Sequence, residues 1–178
     1  MKESDFEADL DQSNGSSEEK MAMKALAQAF PGRFVRKATV AEDMKGADFF
    51  VEVDNVEIAI DVKFRKHDCR DFGKNDVCLE IWANQKTKKL GWTRDDTKIT
   101  DGVLWVWKSS GRWALYSFSR LWFLFEGSWA DWRRSFGSDR QRSRGKHGKR
   151  WKSESVFVPA HKIETALVDE GNINEDKE

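Results

Sequence analysis

Two aspartates and a lysine are the residues of this chain best placed to do chemistry. Asp61 and Lys63 stand two apart near the end of an apolar strand pattern, and Asp48 opens the pattern before it. Successive strand side chains point to opposite faces, so Asp61 and Lys63 share one. A hairpin turning at Asp54-Asn55 would set Asp48 opposite Asp61, to within about one or two positions of register. Two carboxylates aimed at one point repel, and burial would raise at least one pKa; a divalent cation removes both problems. Oxygen-only ligation with open positions suits Mg2+, with Mn2+ as a substitute, because these ions keep several waters and accept phosphate oxygens. Lys63 would bring a positive charge or a proton acceptor beside a metal-bound water attacking phosphorus, and phosphodiester hydrolysis is the natural reaction of that set. Glu80 alternates with Leu79 and Ile81. It is a candidate third carboxylate, an exposed strand residue being the equal alternative.

The elements that must position these groups can be read from period and punctuation. Ser16 and Glu19 form a capping box, and Ala22, Ala25, Leu26, Ala29 and Phe30 recur at helical spacing until Pro31-Gly32 ends the run. Glu18, four residues before Ala22, is expected to point towards the packed face. Arg33 to Thr39 and Asp48 to Val53 read as strands. The segment Val56 to Phe64 alternates, with Val56, Ile58, Ile60, Val62 and Phe64 on one face and Glu57, Ala59, Asp61 and Lys63 on the other. Val77 to Trp82, Gly102 to Trp107 and Arg112 to Phe118 are expected to extend the same sheet. From Ser119 to Phe136 the spacing of Leu121, Trp122, Phe125, Trp129 and Trp132 predicts helix, divided in two at Gly127-Ser128. The expected organisation is a disordered acidic leader over 1–15, a core over 16–136, a basic loop over 137–152, and a terminal strand with a frayed acidic tail over 153–178. The fold class that follows is α/β, a central mixed β-sheet flanked by helices.

Asp48, then Asp61-Val62-Lys63 on the next strand, after an N-terminal helix, resembles the PD-(D/E)XK nuclease superfamily, also called restriction-endonuclease-like. The resemblance spans roughly Ser16 to Phe118, with Ala47 where the motif's name has proline and strand pattern after the lysine where many members have a helix. It implies a restriction-endonuclease-like core, Asp48 and Asp61 as metal ligands, the Val62 carbonyl as a third, and Lys63 as the catalytic lysine. Glu18 or Glu19 would match the acidic residue that many resolvase-like members carry on the first helix. Leu79-Glu80-Ile81-Trp82, Gly91-Trp92-Thr93 and Thr100-Asp101-Gly102-Val103 also look like phage and bacterial proteins of this superfamily.

Charge is balanced in sum, with 31 Lys and Arg against 31 Asp and Glu, but it is segregated along the chain. Glu3, Asp5, Glu7, Asp9, Asp11, Glu18 and Glu19 crowd the start, whereas Arg133 to Lys152 holds nine basic residues and one acid, Asp139. A partner meets the local field, not the sum. Arg140, Arg142, Arg144, Lys146, Lys149 and Arg150, interleaved with Gly and Ser, are expected to grip phosphates, which makes DNA the expected partner. Trp105, Trp107, Trp113 and Trp122 lie in apolar runs and read as core; Trp92, Trp132 and Trp151 lie in polar surroundings where base stacking is an option. Cys69 and Cys78 read as small buried hydrophobes, since their spacing fits neither a disulfide framework nor a zinc site. No secretion signal or membrane span is apparent. The expectation is a soluble cytoplasmic enzyme of bacterial or phage type, with homodimer formation left open. Two alternatives remain on the same fold: a nucleic-acid-binding protein without turnover, and a phage-type inhibitor.

Overall fold

The computed structural model describes residues 17–144 and 150–175. Helix α1 (Ser17–Ala29) is followed by β1 (Val35–Lys37), the short helix α2 (Val40–Asp43), β2 (Phe49–Val53) and β3 (Val56–Arg65). After a crossover come β6 (Gly102–Trp107), β7 (Arg112–Ser117), helix α3 (Phe118–Phe136) and, last, β10 (Leu167–Asn172). Between β3 and β6 lie β4 (Asp76–Asn84) and β5 (Lys89–Leu90); between α3 and β10 lie β8 (Asp139–Arg144) and β9 (Arg150–Pro159). Two sheets result, a six-stranded one in the order β1-β2-β3-β6-β7-β10 and a four-stranded one in the order β5-β4-β9-β8. The first is mixed, because β3 pairs with β6 in parallel while its other neighbours run antiparallel.

The β2–β3 hairpin turns at Asp54 and Asn55, both with positive φ (52° and 64°), the two-residue turn whose twist matches the strands it joins. The alternation of β3 then sorts its faces. Ile60 and Val62 pack with Ala22, Ala25 and Leu26 of α1 and with Leu104, Val106, Trp113 and Leu115. On the opposite face Val103, Trp105, Ala114 and Tyr116 pack against Val77, Leu79 and Ile81 of β4, Val156 and Val158 of β9, and Leu121 and Phe125 of α3. The six-stranded sheet is therefore covered by a helix on one side and by a sheet and helix on the other.

Four expectations are corrected. Strand β4 does not extend the central sheet; it pairs with β9 in a second sheet, which buries its Val77, Leu79 and Ile81 face to face against the central one. The basic segment is not simply a loop: Arg140, Arg142 and Arg144 fall on β8, paired with β9 through Arg140↔Glu154, Arg142↔Lys152 and Arg144↔Arg150. Arg-Gln-Arg-Ser-Arg has the two-residue period of a strand, which its charge disguises. The acidic tail is not frayed up to Asn172, because β10 pairs with β7 and Gly171 lets the Trp113 ring lie against its backbone, where a Cβ would come within 2.8 Å. Helix α3 is continuous through Gly127: roughly 1 kcal/mol of glycine penalty is outweighed by the anchoring of Leu121 and Phe125 in the core. The leader and residues Lys146 and Lys149 lie outside the described residues.

The far end of β3 is fixed by a buried ion pair. Asp68, 2% exposed, receives Arg112 Nε at 2.7 Å and Nη2 at 2.9 Å, together with Ser110 Oγ at 3.0 Å. The guanidinium also lies 3.4 Å from the centre of the Trp107 ring. Burial alone would push the Asp68 carboxyl up, but Arg112, the Arg70 N–H and Ser110 together hold it down to about 2. A depressed carboxyl stabilises the fold above its ordinary pKa and loses that contribution as pH falls through the depressed one. Stability is accordingly expected to fall between about pH 4 and pH 2, and Arg112→Met to cost about 3–5 kcal/mol at pH 7 by stranding a buried carboxylate. Urea denaturation measures both; an Arg112→Met variant as stable as the parent would contradict the assignment.

Candidate active site

Asp61 and Lys63 lie on the face of β3 turned away from α1, and Asp48 stands just before β2, one position beyond the Phe49↔Ile60 pair. There the β1–β2 hairpin stops while β3 runs on beside β6 to Arg65. This step leaves an edge of β3 unpaired by strand. The N–H of Val62 points into the gap and is taken by Asp48 Oδ2 at 2.6 Å. In an extended strand the N–H and C=O of one residue point to the same edge, so the Val62 carbonyl faces the same space. A cavity of about 320 Å3 opens here, lined by Glu18, Glu19, Lys37, Asp48 and Val62 among others.

Asp61 is 5% exposed. Its Oδ1 holds Lys63 Nζ at 2.7 Å. Its Oδ2 is buried and receives no hydrogen bond among the described residues, with Lys98 Nζ 3.9 Å away. Lys63 Nζ also lies 5.1 Å from the centre of the Trp92 ring, which in turn packs on Trp105. The ammonium is thus fixed between a carboxylate and an aromatic face. Asp48 is pushed above the usual carboxylate range: burial is the main cause, opposed by the Val62 N–H and reinforced by the charge of the adjacent Asp61. A raised Asp48 carboxyl beside a second, buried carboxylate forms a site that a divalent cation would relieve.

The structure brings together Asp48, Asp61, Lys63 and the backbone of Val62, with Glu18 and Glu19 lining the cavity beside Asp48, but it places Glu80 elsewhere. Glu18 Oε1 is paired with Lys108 Nζ at 2.6 Å, at the mouth of the cavity and not in the packed face. Glu80 lies on β4 in the other sheet; its Oε2 accepts the Trp92 N–H at 3.0 Å and its own N–H goes to Thr93 Oγ1 at 3.0 Å, holding the turn that carries Trp92. Among the described residues no group of three His, Cys, Asp or Glu side chains is arranged to hold a metal ion. Lys98 and Trp92 complete the surroundings of Asp61 and Lys63. Lys98 precedes β6, and its only sequence signal is that β6 must run beside β3. Trp132 packs on Phe125, whereas Trp151 lines a surface cleft on the second sheet. Cys69 and Cys78 are both free thiols, half-buried rather than fully buried.

Compared with protein-family models, with curated proteins and with solved structures, the chain finds no match.

A raised carboxyl in the folded state binds its proton more tightly than in the unfolded chain, so its contribution to stability falls as pH rises past the ordinary value near 3.8. Asp48→Asn keeps the acceptor for Val62 and removes the repulsion. In chelator at pH 7 it is expected to raise Tm, by about 2–4 °C for each kcal/mol recovered, and the gain should vanish near pH 3, where wild-type Asp48 holds its own proton. Differential scanning calorimetry at the two pH values checks this, and a lowered Tm at pH 7 would overturn it.

Proposed function

We propose that this chain is a metal-dependent nuclease that hydrolyses phosphodiester bonds in DNA. The observation that carries the reading is the pairing of Asp48 with a buried Asp61 whose Oδ2 has no hydrogen bond among the described residues, next to a lysine held on its other oxygen. A central mixed sheet flanked by helices, which the resemblance to the PD-(D/E)XK superfamily implies, is consistent with it, with strands β4 and β5 in the crossover where many members have a helix.

The donor set suits Mg2+ or Mn2+, being carboxylate and carbonyl oxygen with open positions. Asp48, Asp61 through Oδ2, and the Val62 carbonyl would hold the ion, which would supply activation of a water and charge neutralisation at the phosphate. The protein's own groups do the rest. The Val62 N–H fixes one oxygen of Asp48, leaving the other to turn towards the site. Lys63, 20% exposed along its side chain, presents its ammonium to the charge that develops on the phosphorane oxygens, where a preorganised cation is worth most. Asp61 and the Trp92 ring hold that ammonium in place before the substrate arrives. Among the described residues no helix is long and apolar enough to cross a membrane.

A second reading, a nucleic-acid-binding protein without turnover, is favoured by one observation: among the described residues no three acidic, His or Cys side chains are grouped to hold a metal ion, and Asp61 already holds Lys63. Cleavage separates the two. Purified protein is expected to nick or linearise supercoiled plasmid with Mg2+ or Mn2+ and to leave it intact in chelator, and Lys63→Ala is expected to lower turnover by at least about 100-fold. Intact plasmid under every metal condition would favour the second reading; undiminished cleavage by Lys63→Ala would remove the role given to that lysine.

A further inference from the structure

The second sheet carries a cleft of about 670 Å3 between the turn after β4 and the start of β9. Lys86, Lys88 and Lys152 line it together with Trp151, and among the described residues no acidic one does. Its framework is bonded in place. Asn84 Oδ1 accepts the N–H groups of Lys86 (3.0 Å) and Thr87 (3.2 Å), which shapes the turn. The Gln85 N–H bonds the Lys152 carbonyl at 2.8 Å and ties the turn to β9. Beneath it the buried Glu154 holds Gln85 Nε2 at 2.9 Å, Arg133 Nε at 2.7 Å and Ser138 Oγ at 2.8 Å. Glu154 thereby spends its charge inside the protein, and the surface above it stays basic.

We propose that this cleft binds a single-stranded segment of DNA, with one base stacked on Trp151 and flanking phosphates on Lys86, Lys88 and Lys152. The chemistry points to single strand over duplex because stacking on a side chain needs an unpaired base, while lysines on a groove follow the backbone without reading sequence. The place fits the site already described. Strand β4 links the two: Glu80 holds the turn bearing Trp92 beside Lys63, and Asn84, at the cleft, lies four residues further on. At about 3.4 Å per residue that separation is roughly 14 Å, short enough for one strand of a few nucleotides to span. The proposal rests on the DNA reading and adds to it a preference for substrates with a single-stranded arm.

The test is made in chelator, where binding is measured and cleavage is absent. Fluorescence anisotropy of a labelled oligothymidylate of roughly 12 nucleotides, within the span a single-strand site covers, is compared with an abasic oligomer of equal length and with a blunt duplex. Trp151→Ala should weaken oligothymidylate at least about five-fold and leave the abasic oligomer nearly unaffected, while Trp151→Phe restores most of the loss. Lys86→Gln, Lys88→Gln and Lys152→Gln together should reduce the slope of log affinity against log salt by about two units, at roughly 0.7 for each single-strand phosphate contact. Unchanged binding by folded Trp151→Ala, an equal loss for the abasic oligomer, or competition by polyglutamate as effective as that by oligothymidylate would each overturn the proposal. A protein that binds in this way and never cuts plasmid refutes the nuclease reading and keeps the cleft; one that cuts plasmid while Trp151→Ala binds normally does the reverse.

Discussion

Everything at the candidate site depends on the register of one strand. Strand β3 has an apolar row, including Ile60 and Val62, that can be buried only against α1. That burial turns Asp61 and Lys63 to the other face. A slip of one residue would exchange the two rows and put a carboxylate and an ammonium into an apolar interface, so the register is strongly specified. Parallel pairing with β6 then sets Lys63 beside Trp105 and Asp61 beside Val103. The walls of the site are thereby as fixed as the core that carries them.

Ion pairs with at least one largely buried partner tie the remaining elements to this frame. The Asp68–Arg112 pair joins the end of β3 to the start of β7. Arg94, following Trp92, pairs with Glu126 of α3 at 2.6 Å and lies over the rings of Trp82 and Trp129. Glu154 gathers α3, the segment before β8 and the turn after β4. Removing one partner from such a pair costs more than the pair contributes, because a buried charge is left uncompensated. These pairs specify position more than they add stability. Asp61 Oδ2, like Arg94 Nη1, is buried without a hydrogen-bond partner among the described residues, and Lys98 Nζ stands 3.9 Å from it. An unsatisfied buried carboxylate oxygen calls for a cause, and a cation site is a physically sufficient one.

Much of this was legible in sequence wherever one signal dominated. The alternation from Val56 to Phe64 and the Asp54-Asn55 turn place Asp48 and Asp61 opposite each other, and β6 runs over the Gly102–Trp107 segment the pattern predicts. Failures came where two signals competed. Charge hid the strand period of Arg140 to Arg144, and acidity hid that of β10. A strand pattern says that a residue row must be buried but not in which sheet the strand pairs, so the pattern of β4 does not distinguish the second sheet from the first. Lys98 gave no local signal at all: it reaches Asp61 only because the parallel crossover returns the chain to that point.

The central claim is that Asp48 and Asp61 form one divalent cation site, and calorimetric titration of manganese into chelator-treated, desalted protein tests it most directly. The account predicts a single site in the wild type that is lost in both Asp48→Asn and Asp61→Asn while both variants remain folded by circular dichroism. Manganese binding by Asp61→Asn with the affinity of the wild type would contradict it.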